Sequence, residues 1–253
     1  MRFIGIIPAR YASSRFPGKP LCRIGGTTMI ERVCTQVRKV KELERVIVAT
    51  DHPEIAACVK AFGGEVRMTS SQHRSGTERC AEVFRSLMPD FAPEESVVLN
   101  IQGDEPFIQP GQIREAIACM EEGSAPIATL LQRIPDRETL ADPNVVKCVR
   151  GTDGTALYFS RHAIPYLRSG TFEEQVFYKH IGLYAYRGGA LLQLVALPPS
   201  PLEEAESLEQ LRWLENGYRI ATRVTAFPAS LSIDTPADLE KAVIYEQSIS
   251  NQP

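Results

Sequence analysis

The chain has 253 residues, of which 43% are hydrophobic and 23% charged, and it carries a net charge of −3. Those are the proportions of an ordinary globule, long enough for one α/β domain with or without a substantial insertion. They exclude a global electrostatic drive toward nucleic acid or an anionic membrane, so any polyanion site has to be a local patch.

The first element is a short apolar strand, Phe3 to Ile7, expected to end at Pro8 and to be buried on both faces. The following turn is basic and small, with Arg10, Arg15 and Lys19 set among Ala9, Ala12, Ser13, Ser14 and Gly18. Small residues let backbone N–H groups approach a phosphate and the cations neutralise it. In open α/β sheets ligands sit beyond the carboxyl ends of strands, where this turn is expected. It is neither a Walker A loop, since Ser13 and Pro20 stand at its required Gly and Ser/Thr, nor a G-x-G-x-x-G fingerprint.

Helical spacing of Ile30, Val33, Cys34 and Val37 predicts a helix from Thr28 to about Val40. Arg45 to Thr50 is a second buried strand. Asp51-His52-Pro53 caps a helix with Ile55, Val59 and Phe62 as its stripe, and Gly63-Gly64 ends it. Glu65 to Met68 is a third strand, completing a β-α-β-α-β run that implies parallel strands. A polar loop, Thr69 to Arg79, leads into a helix bearing Cys80, Val83, Phe84 and Leu87.

Ser96 to Ile101 is the next central strand. Its tip, Gln102-Gly-Asp-Glu-Pro, puts Asp104 and Glu105 where hard oxygen ligands suit Mg²⁺. The competing reading is a cap for the helix that starts near Pro110. From about Ser124 to Tyr186 strands prevail, Pro126–Ile134, Asn144–Val149, Thr155–Ser160 and His180–Tyr186, so this stretch reads as a mixed or antiparallel extension covering the active face. Gly188 to Val195 is a short helix and Glu203 to Asn216 a longer one, closed by Gly217. Arg219 to Phe227 is a strand. Thr235 then caps the final helix with Asp238 three residues on, which leaves Asp234 pointing away from that helix.

Six cysteines, at 22, 34, 58, 80, 119 and 148, show no C-x-x-C spacing and read as reduced core thiols. The chain starts straight into a strand, has no apolar membrane segment and is expected in the cytoplasm. His52 and His162 read as structural or solvated.

Seven motifs occur in order: Arg10-Tyr-Ala-Ser-Ser-Arg-Phe-Pro-Gly-Lys-Pro-Leu21, His73-Arg-Ser-Gly-Thr-Glu-Arg79, Gln102-Gly-Asp-Glu-Pro106, Ala156-Leu-Tyr-Phe-Ser-Arg161, His180-Ile-Gly-Leu-Tyr184, Leu208-Glu-Gln-Leu-Arg212 and Asp234-Thr-Pro-Ala-Asp-Leu-Glu240. Together they resemble the 3-deoxy-manno-octulosonate (Kdo) cytidylyltransferases over nearly the whole length. Ser14, Phe16 and Ile233 depart mildly from that pattern and remove no charged group.

The resemblance implies a Rossmann-like nucleotide-diphospho-sugar transferase fold, α/β with a mainly parallel sheet and a smaller mixed or antiparallel inserted region at about 124–186. The whole chain would then be one cytidylyltransferase domain and would pair as a homodimer through that region. It implies CTP and Kdo as substrates, CMP-Kdo and pyrophosphate as products, Mg²⁺ as cofactor and lipopolysaccharide synthesis as the context. By the same resemblance Arg10, Arg15 and Lys19 hold the triphosphate, Asp104 and Asp234 hold the metal, and Arg10, Lys19, Asp104 and Asp234 carry catalysis. Arg74, Ser75, Gly76 and Gln102 fall at the base and ribose, with Gln102 also at the sugar. Arg161, His180, Tyr184, Glu209 and Gln210 fall at the sugar acid. An 8-amino analogue of Kdo, a nucleotide-sugar glycosyltransferase and a CTP-binding sensor are the competing readings.

Overall fold

The computed structural model describes residues 1–12, 16–228 and 231–250. Strand β1 (Arg2–Ala9) buries alternate residues in different layers. Phe3, Ile7 and Ala9 face one core, Ile4 and Ile6 the other, which explains an unbroken apolar run. The strand does not stop at Pro8, as the sequence suggested. Pro8 and Ala9 still pair with β4 (Leu43–Thr50), opposite Ala49 and Thr50. On the other side the pairing with β6 (Ser96–Asn100) ends at Ile6. Ile6 faces β6, its carbonyl taking the N–H of Ile101, so Pro8 faces the same way, beyond the end of β6. Its missing N–H therefore costs no ladder bond.

Between β1 and β4 lie a single 3-10 turn (Lys19–Leu21), a small hairpin of β2 (Arg23–Ile24) and β3 (Thr27–Thr28), and helix α1 (Met29–Val37). Helix α2 (Pro53–Ala61) starts at His52, whose ring nitrogen accepts the Glu54 N–H at 3.3 Å. Next come β5 (Glu65–Met68), α3 (Gly76–Leu87), β6 and α4 (Pro110–Glu122). The strand-rich middle contains β7 (Ile127–Arg133), α5 (Arg137–Ala141), β8 (Lys147–Arg150), β9 (Ala156–Ser160) and β10 (Tyr178–Arg187). After it follow α6 (Gly188–Leu194), α7 (Pro201–Glu206), α8 (Glu209–Glu215), β11 (Ile220–Val224) and α9 (Pro236–Ser250).

The main sheet runs β11-β7-β10-β6-β1-β4-β5. Every neighbouring pair in that path is parallel except those made by β10, which is antiparallel to both β6 and β7. The middle segment thus splits its strands. β7 and β10 complete the main sheet, while β8 and β9 form an antiparallel extension attached to β10. Helices α1, α2 and α4 cover one face through Ile30, Val33, Ile55, Ile113 and Met120, and α3, α6 and α8 cover the other through Phe84, Leu191, Leu211 and Trp213.

The chain winds outward from β1 to β4 and β5, then returns to place β6 on β1's other side. The carboxyl ends of β1 and β6 therefore form a switch point, where open α/β sheets bind ligands. Gly103, just past β6, is required there, because a Cβ would stand 2.7 Å from the Pro8 carbonyl oxygen. One expected element is divided. Glu203 to Asn216 is not a single helix, because Ser207 takes the left-handed conformation (φ 52°) and Leu208 is extended and buried. The break starts α8 at Glu209 and turns that carboxylate toward α3.

Candidate active site

A cavity of about 250 Å³ opens at the switch point, lined by Arg10, Lys19, Arg74, Gln102, Asp104 and Asp234 among others. The expected basic turn and the expected acidic strand tip meet here. Lys19 Nζ donates to Asp104 Oδ2 at 2.7 Å and to Asp234 Oδ1 at 3.2 Å. Both carboxylates thus converge on one ammonium, which lies 12% exposed in the cavity. Arg15 lies outside the described residues.

Asp234 is brought in by a backbone stitch. The N–H of Ile233 donates to the carbonyl of Asp104 at 3.0 Å, and the Ile233 side chain is fully buried with Ile24, Met29, Phe107 and Ala242. The cap of α9 forms as the sequence suggested. Asp238 Oδ2 accepts the N–H groups of Asp234 and Thr235, and Thr235 Oγ1 accepts that of Asp238. Helix α4 takes Gln109 as its cap, with Gln112 closing the box, so neither Asp104 nor Glu105 is needed for that purpose.

The turn before α3 forms the opposite wall. Ser75 caps α3 by accepting the Glu78 N–H, and the Arg74 N–H donates to Glu78 Oε2 at 2.6 Å. Arg74, Ser75 and Gly76 line this cavity, and the first two also line a neighbouring one of about 470 Å³ that contains Glu209 and Arg212. Glu209 accepts from Ser75 Oγ (2.8 Å), Thr77 Oγ1 (2.6 Å) and Arg212 Nη2 (2.9 Å). Burial raises its pKa, and the Thr77, Ser75 and Arg212 contacts oppose that rise.

Gln102 reaches β10, donating from Nε2 to the Gly182 carbonyl at 3.2 Å. That carbonyl is presented by an irregularity between Ile181 and Tyr184, where β10 slips its register against β7. His180 precedes the irregularity. Its ring lies edge-on to Phe159 and 5.1 Å from Tyr184, with Nε2 3.1 Å from Thr129 Oγ1. Carbonyls of Leu183 and Ile181 stand 2.8 and 3.1 Å from that hydroxyl and take its single hydrogen, so the imidazole carries its proton on Nε2. Burial pushes the imidazole down to about 3, leaving it neutral at working pH. Tyr184 is buried against Tyr186 and Trp213, and its hydroxyl meets no hydrogen-bond partner among the described residues.

Arg161 donates to the carbonyls of Pro143, Glu206 and Ser207. Gln210 is buried on α8. Arg161, His180, Tyr184 and Gln210 line neither of the two cavities. Two residues with titratable or charged side chains and no assigned role, His73 and Arg79, do line the first. For Arg79 a signal existed, since it sits beside Cys80 on the apolar side of α3, where a buried cation has to find a carboxylate.

Among the described residues no group of three or more His, Cys, Asp or Glu is arranged to hold a metal ion. Two carboxylates alone leave most positions of an octahedral Mg²⁺ to phosphate oxygens and water, the usual arrangement at sites for phosphorylated substrates. The six cysteines are all free thiols, and burial pushes Cys34 and Cys148 up to about 12.

Residues 4–220 match the Cytidylyltransferase family. The 3-deoxy-manno-octulosonate cytidylyltransferase of Parabacteroides distasonis is 51% identical, the alignment covering 97% of this chain and 98% of that protein. The protein of the same name from Pseudoalteromonas translucida is 43% identical over 98% and 99%. Among solved structures, a CMP:2-keto-3-deoxy-manno-octonic acid synthetase complexed with CTP superimposes with a TM-score of 0.89 at 41% identity, covering 98% of this chain and all of the other. A 4-diphosphocytidyl-2C-methyl-D-erythritol synthase from Anaerococcus prevotii, at 17% identity and a TM-score of 0.64, shares the fold. Likeness of this extent, in sequence and in backbone, shows that the chain belongs to the cytidylyltransferase family and, within it, to the 3-deoxy-manno-octulosonate cytidylyltransferases.

Proposed function

We infer that the chain transfers CMP from CTP to Kdo, giving CMP-Kdo and pyrophosphate. The observation that carries this is the meeting of Lys19 with Asp104 and Asp234 in a cavity at the switch point. An acidic pair alone would repel a triphosphate, and a basic loop alone would bind one without promoting transfer.

The attacking group is the anomeric hydroxyl of Kdo and the electrophile is the α-phosphorus of CTP. In such displacements positioning and charge stabilisation do most of the work. Arg10 and Lys19 are suited to hold the triphosphate and to stabilise the departing pyrophosphate, with Arg15 proposed beside them. Lys19 now neutralises both carboxylates. Once it turns toward phosphate oxygens, Asp104 and Asp234 present a divalent-cation site, and Mg²⁺ held by them would polarise the α-phosphate and acidify the attacking hydroxyl. Arg74, Ser75 and Gly76 offer backbone groups to the cytosine edge, and Gln102 spans from the cavity to β10. Glu209, in the wall of the second cavity, is suited to accept hydrogen bonds from hydroxyls of the sugar; Arg161, His180, Tyr184 and Gln210, which line neither cavity, are proposed at the sugar acid on the motifs alone.

The exposed Leu157 and Val176, at 61% and 39%, both lie in the strand-rich middle segment and suit the homodimer contact proposed for it. No helix among the described residues is long and apolar enough to cross a membrane, and we place the reaction in the cytoplasm, in the service of lipopolysaccharide synthesis. Pyrophosphate release with each nucleoside triphosphate, and with Kdo, its 8-amino analogue and a sialic acid, tests the assignment. Release with CTP and Kdo, abolished by chelation and restored by Mg²⁺, is expected. Equal rates with UTP, or none with Kdo, would overturn it.

A further inference from the structure

Tyr11 ties the two ends of the basic loop to the sheet. Its N–H donates to Asp51 Oδ1 at 3.3 Å, and its carbonyl accepts the Gly18 N–H at 3.0 Å. Its ring stacks on His52 with centroids 3.8 Å apart and planes 18° from parallel. Gly18, at φ 70°, packs on the same ring, where an added Cβ would stand 3.5 Å away. The two ends of the loop are thereby fixed to the end of β4 and the start of α2.

Asp51 has a second partner. Its Oδ2 accepts Nη2 of Arg79 at 3.0 Å, and the two side chains are 12% and 4% exposed. Arg79 also donates to the Thr69 hydroxyl and lies in the cavity wall. A bare carboxylate so near a triphosphate site would repel the ligand. Pairing with Arg79 removes that repulsion while leaving an oxygen for the loop.

We propose that the Asp51–Arg79 ion pair is a positioning device for the basic loop, setting through the Tyr11 amide where Arg10 and Lys19 stand relative to the nucleotide. The inference rests on reading that loop as the triphosphate grip. It makes Asp51 a residue that governs CTP binding without touching CTP.

The test is steady-state pyrophosphate release with CTP and Kdo varied separately, on the full chain and on Asp51→Asn and His52→Asn. Asparagine at 51 keeps an acceptor for Tyr11 and removes the charge facing Arg79. Asparagine at 52 keeps an acceptor for the Glu54 N–H and removes the stacked ring, so this variant is expected to fold even where the first does not. Loss of one charge-assisted contact predicts about a tenfold or larger rise in KM for CTP in Asp51→Asn. For His52→Asn, which loses one ring contact, a rise of roughly threefold is expected. KM for Kdo is expected to stay put in both. A role in stability alone would lower kcat through the active fraction and leave both KM values unchanged, and that result, or a parallel rise in both, overturns the proposal. Lys19→Ala run alongside separates the levels. If it weakens CTP while both variants are silent, only this inference falls; if it leaves CTP unaffected, the triphosphate reading falls with it.

Discussion

His180→Gln gives a measurable account of how the imidazole is held beside the irregularity of β10. The imidazole, packed by Phe159 and Tyr184, has its pKa carried by burial from 6.5 to about 3. A base whose folded-state pKa is lowered contributes its full stability above the unfolded value of 6.5, and that contribution is lost as pH falls toward the folded one. Between about pH 7.5 and about pH 5 the linkage relation gives a loss of about 2 kcal/mol from this residue alone. The residue keeps partial exposure, so this is an upper figure. In a chain of this length it corresponds to roughly 4–8 °C in melting midpoint. Glutamine keeps an N–H for Thr129 and does not titrate. Midpoints followed by circular dichroism across that pH range are expected to fall more steeply for the parent than for the variant, by about that amount. Parallel curves would refute the buried neutral imidazole. The same state bars His180 from supplying the acidic limb of a kcat profile near neutrality.

Asp104→Asn and Asp234→Asn are each expected to lower kcat by about 10²–10³, with a raised Mg²⁺ requirement, as loss of one preorganised electrostatic group does; a magnesium titration of turnover checks it. Gly103→Ala forces a Cβ against the Pro8 carbonyl at 2.7 Å and is expected to cost about 1–3 kcal/mol, read as a lowered urea midpoint, because the obstacle is backbone and not a flexible side chain. Cys34 and Cys148, held near 12 by burial, and Cys80, also buried, are expected to resist a disulfide reagent at about pH 8 until the protein is unfolded. Thiol counts before and after denaturant decide that.

Much of the architecture was legible because it follows local rules. The β-α-β-α-β opening, the His52-Pro53 and Thr235–Asp238 caps and the apolar stripe of α1 depend on residues within a turn or two of one another. Pro8 misled because a missing N–H matters only where a neighbouring strand runs beside it, and β6 has already ended there. Ser207 misled because a left-handed residue is set by what its neighbours bury, here Leu208, and not by its own preference. The site was legible in its charges, Arg10, Lys19, Asp104 and Asp234, and less so in its supports. Tyr11, Asp51 and Arg79 come from a loop, a strand end and a helix, and their alliance exists only in three dimensions. Arg161, His180, Tyr184 and Gln210, named by the motifs, line neither cavity, and what each side chain meets is decided by the packing of β10, β9 and α8.

The amide stitch from Ile233 to Asp104 couples the placement of the two carboxylates. Any disturbance that peels α9 from Ile24, Met29 and Phe107 drags one carboxylate away and loosens the backbone under the other. On the reading of the basic turn as the triphosphate grip, a chain whose final helix has not docked would keep that grip and lose the pairing of Asp104 with Asp234 across Lys19.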